Sequence, residues 1–233
     1  MTAVSSHSQT LSRGIRMLEL LAEAPGTLVI AELAAALGVH RSIAYRILRT
    51  LEDHGLVARD AAGGAQLAPR LAALARGVSR DLQAAALPEL TAVANDLRMT
   101  AFIAVLDQHE VVTLVSVEPR HAFATVAQRP GTRHPLAAGA PGIAIQSALS
   151  GAQWRELGPE VHERPEAKEA KGRGFATSRD EVIRGLSSVA VPLVIIGQPP
   201  AAVAVVYVAS GEPPGTIAGR LADAARAIAA ELQ

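Results

Sequence analysis

Over residues 39–56 the side chains sort onto two faces at helical spacing. Ala44, Ile47, Leu48 and Leu51 fall on one side, and Ser42, Tyr45, Arg46 and Arg49 on the other. The first side is a core stripe. The second offers forked guanidinium donors and hydroxyls, which suit phosphates and base edges, on an element about as wide as the DNA major groove admits. A surface helix with several solvated arginines would look the same in isolation, so the neighbouring residues decide between the two readings.

Upstream, a first helix is predicted with Ser12 as its N-cap, Ile15, Leu18, Leu21 and Ala22 inward, and Pro25-Gly26 ending it. A short second helix is predicted over 30–37, with Leu33, Ala34 and Leu37 inward. Its cap position holds Val29, which lacks a side-chain acceptor, a departure that costs about 1 kcal/mol. Gly38 then turns the chain into the arginine-bearing helix. Downstream, 55–59 and 65–68 read as two strands around a flexible turn at 60–64. Helix, short helix, turn, helix and two-stranded flap describe a winged helix. Arg41, Ser42, Tyr45, Arg46, Arg49 and, at the base of the flap, Arg59 are its predicted contacts with double-stranded DNA.

Composition narrows the remaining classes. The 22 Lys and Arg balance 22 Asp and Glu, which excludes a globally basic nucleic-acid binder and makes any DNA contact a matter of local arginine placement. The absence of cysteine excludes a disulfide frame and a thiolate zinc site. The 7 histidines show no paired spacing, so no metal is expected. Without a P-loop, dinucleotide fingerprint or nucleophile elbow, neither a cofactor nor enzymatic activity is expected. The apolar run 188–208 is broken by Pro192, Gly197, Gln198, Pro199 and Pro200 into two strand-length pieces. The expectation is a cytoplasmic protein with no membrane partner.

Further along, 69–81 is predicted as a linker helix with a stripe of Leu71, Leu74, Ala75 and Val78. A second helix, 88–98, starts at Pro88 and turns Leu90, Val93, Ala94 and Leu97 inward. Strands are predicted over 100–106 and 111–117, around a turn at 107–109, and over 123–128. The mixed-charge stretch 160–173, which holds the only two lysines, Lys168 and Lys171, reads as a solvated helix. The fold class is α+β with two domains. The predicted organisation is a disordered arm over 1–10, a winged helix-turn-helix over 11–69, a linker helix over 70–85 and an effector-binding and oligomerisation domain over 86–233.

Three ordered motifs resemble one family. Leu33-Ala34, Leu37-Gly38, Ser42, Tyr45-Arg46-Ile47-Leu48, Thr50-Leu51, Gly55 and Arg59-Asp60 are similar to the winged-helix half of the isocitrate lyase regulator (IclR) family of bacterial transcription factors. Gly131, Pro135-Leu136, Ala140 and Gly142 resemble the loop-to-helix signature of that family's effector domain. Gly174-Phe175-Ala176-Thr177-Ser178, Glu181, Gly185 and Ala190-Val191-Pro192 make the third match. The resemblance implies a GAF-like effector domain with an antiparallel sheet, subunits that pair into dimers and dimers of dimers, and small effectors that are often carboxylates. It also implies that Ser178 and Ser188 supply polar ligand contacts.

A physical argument adds to that. Small residues at the start of a helix near 139–144 leave backbone N–H groups open to an anion, although they also permit tight packing. The predicted ligand contacts are therefore Gly139, Ala140, Gly142, Ile143, Ser178 and Ser188. The chain departs from the family pattern at Ile143, where Lys is common, at Ala137, where His is frequent, and at the added Pro141. The more apolar mouth that results points to an aromatic or alicyclic acid. The expected function is a ligand-responsive DNA-binding transcriptional regulator, a repressor, acting as a homodimer or homotetramer. The competing readings are an orphan regulator with no effector and a small-molecule enzyme, for which Ser178 and Ser188 have no obvious base beside them.

Overall fold

The amphipathic pattern of the N-terminal third is realised as a small helical core. The computed structural model describes residues 8–75, 77–121 and 126–232, and the chain divides into two compact units, 1–78 and 79–233. Residues 1–7 of the predicted arm lie outside the described residues. In the first unit, α1 (Gln9–Glu23) begins one turn before the predicted Ser12. Ser8 caps it, its hydroxyl accepting from the Leu11 N–H at 3.4 Å. Nothing between Ser8 and Ser12 breaks a helix, so the earlier cap prevails. The buried face is also rotated from expectation, towards Gly14, Met17 and Leu21, leaving Ile15 exposed. The third helix comes in over Gly14, where an added Cβ would sit 3.8 Å from Ile47.

Helix α2 (Ile30–Ala36) follows; its Val29 cap has no side-chain acceptor, but the Glu32 carboxylate accepts the Val29 N–H at 2.9 Å. Half of a capping box thus offsets part of the penalty expected from valine. Helix α3 (Arg41–Asp53) buries Ala44, Ile47, Leu48 and Leu51, the four residues its periodicity selects. Strands β1 (Val57–Arg59) and β2 (Ala65–Leu67) pair antiparallel, and Leu28 bridges to Ala65 at the edge of the flap. Met17, Leu33, Leu48, Val57 and Ala65 meet in the core of this unit.

The predicted linker helix is shorter than its pattern. Helix α4 (Arg70–Ala75) ends early, and Ser79 takes a left-handed conformation (φ 45) before α5 (Arg80–Leu97) begins. Helix α5 then runs through Pro88, where a new helix was expected. A proline inside a helix costs about 3 kcal/mol, in part through one lost backbone bond. Here Leu82, Ala85 and Ala86 before it and Leu90, Val93 and Ala94 after it form one buried stripe. Burying leucine or valine contributes roughly 1.5–3 kcal/mol per side chain, so continuity of that stripe outweighs the interruption.

The second unit continues as β3 (Thr100–Asp107), β4 (Glu110–Val117), β5 (Arg133–Pro135), α6 (Gly139–Ala148), α7 (Gly151–Leu157), α8 (Pro165–Arg173), β6 (Ala176–Arg179), β7 (Ser187–Leu193), β8 (Ala201–Tyr207) and α9 (Pro214–Glu231). Among the described residues, one antiparallel sheet has the order β5-β4-β3-β8-β7-β6. Of the predicted strand 123–128, residues 123–125 lie outside the described residues and 126–128 are not strand. The edge position beside β4 belongs to β5 instead.

The two faces of the sheet differ in size. Ile103, Val189, Val191, Val203 and Val205 point towards α5 and α9, whereas Ala104, Ala190, Ala202 and Ala204 point towards α6. An alanine floor lets α6 lie close, and every residue from Gly139 to Ser147 is buried. Gly142 has no room for a side chain, because a Cβ there would collide with the Leu136 carbonyl. Helix α8 is solvated on one side only, with Ala167 and Ala170 buried against the α6 layer. The whole is the α+β, two-domain architecture read from the sequence.

Candidate functional site

Two sites emerge, one in each unit. On α3 the polar face carries Arg41, Ser42, Tyr45, Arg46 and Arg49, all exposed. The His40 ring caps the helix, its Nδ1 accepting from the Ser42 N–H at 3.3 Å and lying 2.9 Å from the Ser42 hydroxyl. Arg49 is loosely paired with Asp53 at 3.5 Å, both side chains 63% exposed. Arg41 and Arg46 have no side-chain hydrogen bond or ion pair among the described residues. Two guanidinium groups are therefore left to face solvent.

Arg59 is used differently. Its Nε and Nη2 donate to the Glu52 carboxylate at 2.8 and 2.9 Å, and its guanidinium lies 5.3 Å from the centre of the Tyr45 ring. It ties the flap to α3 through a forked ion pair and a cation–π contact. The turn read as flexible is braced as well. The Asp60 carboxylate accepts the Gly64 and Ala62 N–H groups at 2.8 and 2.9 Å. The Gly64 bond, with help from the Thr27 side chain, holds that carboxyl below the usual carboxylate range. Sequence reasoning missed Glu52 and His40, whose polar roles arise from partners that the helical pattern does not mark.

In the second unit, α6, β5 and the β6–β7 connection surround a cleft with about 420 Å³ of empty space, counted to its open mouth. Gly139, Ser178 and Ser188, three of the residues proposed from the sequence as ligand contacts, line it together with Pro141. Ala140, Gly142 and Ile143 do not; Ala140 and Ile143 pack into the core under α6. Phe102, Gln128, His134, Glu181, Val182, Ile183, Leu186, Ser187 and Val206 complete the lining. These come from separate parts of the chain, and only Glu181 belonged to a motif.

The expectation of open N–H groups at the start of α6 is overturned. The Gly139 N–H donates to Glu181 Oε2 at 2.9 Å, and the Ala140 N–H to Ser178 Oγ at 2.8 Å. The third position of the first turn is Pro141, which has no N–H. Gly139 itself sits at φ +76, and a Cβ there would press on Val182, so glycine admits the β6–β7 connection onto the helix start. Arg164 holds that connection from outside: Nη1 donates to Glu181 Oε2 at 2.5 Å and to the Ala137 carbonyl at 3.0 Å, and Nη2 to Glu166 at 2.8 Å. Hydrogen bonds from Arg164 lower the Glu166 pKa to about 2, and those to Glu166 and Glu181 raise the Arg164 pKa above its ordinary value.

Two further polar groups of the cleft, Ser188 and His134, are hydrogen-bonded within the protein. Ser188 donates its hydroxyl hydrogen to the Val205 carbonyl at 2.7 Å. His134 Nδ1 lies 3.1 Å from the Pro135 carbonyl, and burial pushes the imidazole pKa down. Neither serine is hydrogen-bonded to a histidine or carboxylate, the arrangement that a nucleophile requires. Among the described residues there is no group of three His, Asp or Glu side chains placed to hold a metal ion, and no helix long and apolar enough to cross a membrane.

Comparison with known proteins places both units. Residues 10–61 match the IclR helix-turn-helix domain. The chain is 33% identical over 142 residues to the HTH-type transcriptional regulator Rv1719 of Mycobacterium tuberculosis, a match covering 60% of this chain and 54% of that protein. It is 28% identical over 202 residues to the transcriptional repressor IclR of Escherichia coli, covering 78% of this chain and 73% of the repressor. The crystal structure of an IclR transcriptional regulator from Alicyclobacillus acidocaldarius superposes with a TM-score of 0.81 at 26% identity, covering 97% of this chain and 100% of the other. An IclR homologue from Microbacterium hydrocarbonoxydans, complexed with 4-hydroxybenzoate, shares the fold with a TM-score of 0.81 at 22% identity, covering 96% and 99%. The chain belongs to the IclR family of transcriptional regulators.

Proposed function

We propose that this regulator is a ligand-responsive repressor acting in the cytoplasm. Residues 11–69 bind operator DNA, 70–85 link the domains, and 86–233 bind an effector and pair subunits into dimers and dimers of dimers. The observation that carries the DNA reading is the pair of unpartnered guanidiniums on α3, Arg41 and Arg46, beside Ser42, Tyr45 and Arg49.

The effector reading rests on the cleft, whose apolar lining suits a small molecule with an aromatic or alicyclic body. The 4-hydroxybenzoate bound by the Microbacterium homologue is of that kind, and it carries both a carboxylate and a phenolic hydroxyl. The family resemblance favours an organic acid. Effector occupancy regulates DNA binding only if the ligand binds one arrangement of the subunits better than the other.

The test is binding to the gene's own upstream DNA at fixed, near-physiological salt, for the native protein and for Arg41→Ala with Arg46→Ala. Sequence-specific binding that the double variant loses supports the reading. Equal, unspecific binding by both proteins removes α3 as the reader.

A further inference from the structure

Three exposed residues of α3, Ser42, Tyr45 and Thr50, carry hydroxyls, and the fold treats each differently. Thr50 gives its hydrogen back to the Arg46 carbonyl at 3.0 Å. The Tyr45 hydroxyl has no hydrogen-bond partner among the described residues, so its hydrogen is free for a phosphate oxygen. Ser42 is engaged by the residue that caps the helix. Its Oγ lies 2.9 Å from His40 Nδ1, and its backbone N–H donates to the same nitrogen at 3.3 Å.

The backbone contact fixes the direction of the side-chain one. An N–H only donates, so the Nδ1 it meets carries a lone pair, and the neutral ring keeps its hydrogen on Nε2. Facing that lone pair, the Ser42 hydroxyl is the donor, and a hydroxyl has one hydrogen to give. Ser42 therefore offers only lone pairs outward.

Phosphate oxygens accept and do not donate. In the major groove, adenine N6 and cytosine N4 donate, whereas guanine and thymine present only acceptor atoms. Taking α3 as the DNA reader proposed above, we infer that Ser42 reads a base: it accepts from the amino group of an adenine or cytosine, and His40 is the positioning residue that makes it an acceptor. A free serine hydroxyl would bond to any phosphate along the duplex. With its hydrogen held by His40, it gains a partner only at an amino group. Against guanine or thymine, acceptor meets acceptor with water displaced.

The experiment measures binding of the full chain by fluorescence anisotropy, at pH 8 and fixed salt, to the gene's own upstream fragment and to a scrambled duplex of the same composition. Further copies of the fragment each lose one exocyclic amino group, purine replacing an adenine or 2-pyrimidinone a cytosine. Native protein should bind one such copy about fivefold more weakly than the intact fragment, the effect of one lost hydrogen bond. Ser42→Ala should bind the intact fragment about fivefold more weakly, ignore that same deletion and bind the scrambled duplex as the native protein does. His40→Gly, a tolerated cap residue without an acceptor, should lose the same preference, and His40→Asn, whose Oδ1 accepts in place of Nδ1, should restore it.

Equal weakening of specific and scrambled binding by Ser42→Ala would make Ser42 a phosphate donor and overturn the inference. So would a native preference that no amino deletion reduces, or full preference in a folded His40→Gly. Ser42→Ala and the amino deletions decide alone if His40→Gly does not fold. A native protein with no sequence preference removes α3 as the reader and the inference with it. A native preference that Arg41→Ala with Arg46→Ala abolishes and Ser42→Ala leaves intact defeats the inference alone.

Discussion

The reading helix and the cleft both depend on arginine, and they use it in opposite ways. On α3, Arg41 and Arg46 have no side-chain partner among the described residues, which leaves them open to a foreign anion. At the cleft, Arg164 is consumed by Glu166, Glu181 and a carbonyl, and organises the protein's own acids. Arg59 lies between these cases, on the reading surface yet paired with Glu52 and 29% exposed at its side chain. A guanidinium therefore becomes a binding group only where the fold withholds an internal carboxylate from it.

The largest expected effect comes from emptying the free side of that comparison. Arg41→Ala with Arg46→Ala should weaken specific binding by about 100-fold and reduce the slope of log affinity against log salt by about 2, if both meet phosphate. A large loss with an unchanged slope would assign them to base edges instead. Gly142→Ala should cost about 1–3 kcal/mol of stability in the second unit, since its Cβ has no space beneath the Leu136 carbonyl. A melting temperature equal to that of the native protein would return Gly142 to the candidate ligand groups.

Glu52→Ala converts a committed arginine into a free one. The comparison predicts nonspecific DNA affinity a few-fold tighter at low salt, with a salt slope steeper by about 1, measured by anisotropy. Weaker binding would mean that holding the flap matters more than the charge released. The smallest effect concerns His134. Its folded pKa is depressed, so its stabilising contribution is present above the unfolded value near 6.5 and is lost as pH falls through that value towards the folded one. The second unit should therefore melt lower at pH 5 than at pH 7, and His134→Asn should flatten that dependence; an unaltered slope would place the titration elsewhere.

Much of the reading helix was legible because its information is local. A period of 3.6 residues places Ala44, Ile47, Leu48 and Leu51 in the core and the arginines outside, and α3 follows it. Which arginines stay free was not legible, since Glu52 is neutralised by a residue on another element. The cleft was less legible still. Ser178 and Ser188 were found through motifs, whereas Phe102, Gln128 and Leu186 carry no sequence signal that marks them as lining one cleft.

The chain by itself determined the helices and flap of the first unit, the α+β class with two units and the residue types on the exposed face of α3, because these follow from periodicity, turn residues and side-chain chemistry within short windows. Tertiary structure decided what each polar group does. It carried α5 through Pro88 for the sake of one continuous buried stripe, and it filled the start of α6 with Glu181 and Ser178 from 38 to 42 residues away. Buried donors must be satisfied by whatever the fold brings within reach, and that partner is invisible until the distant strand is in place.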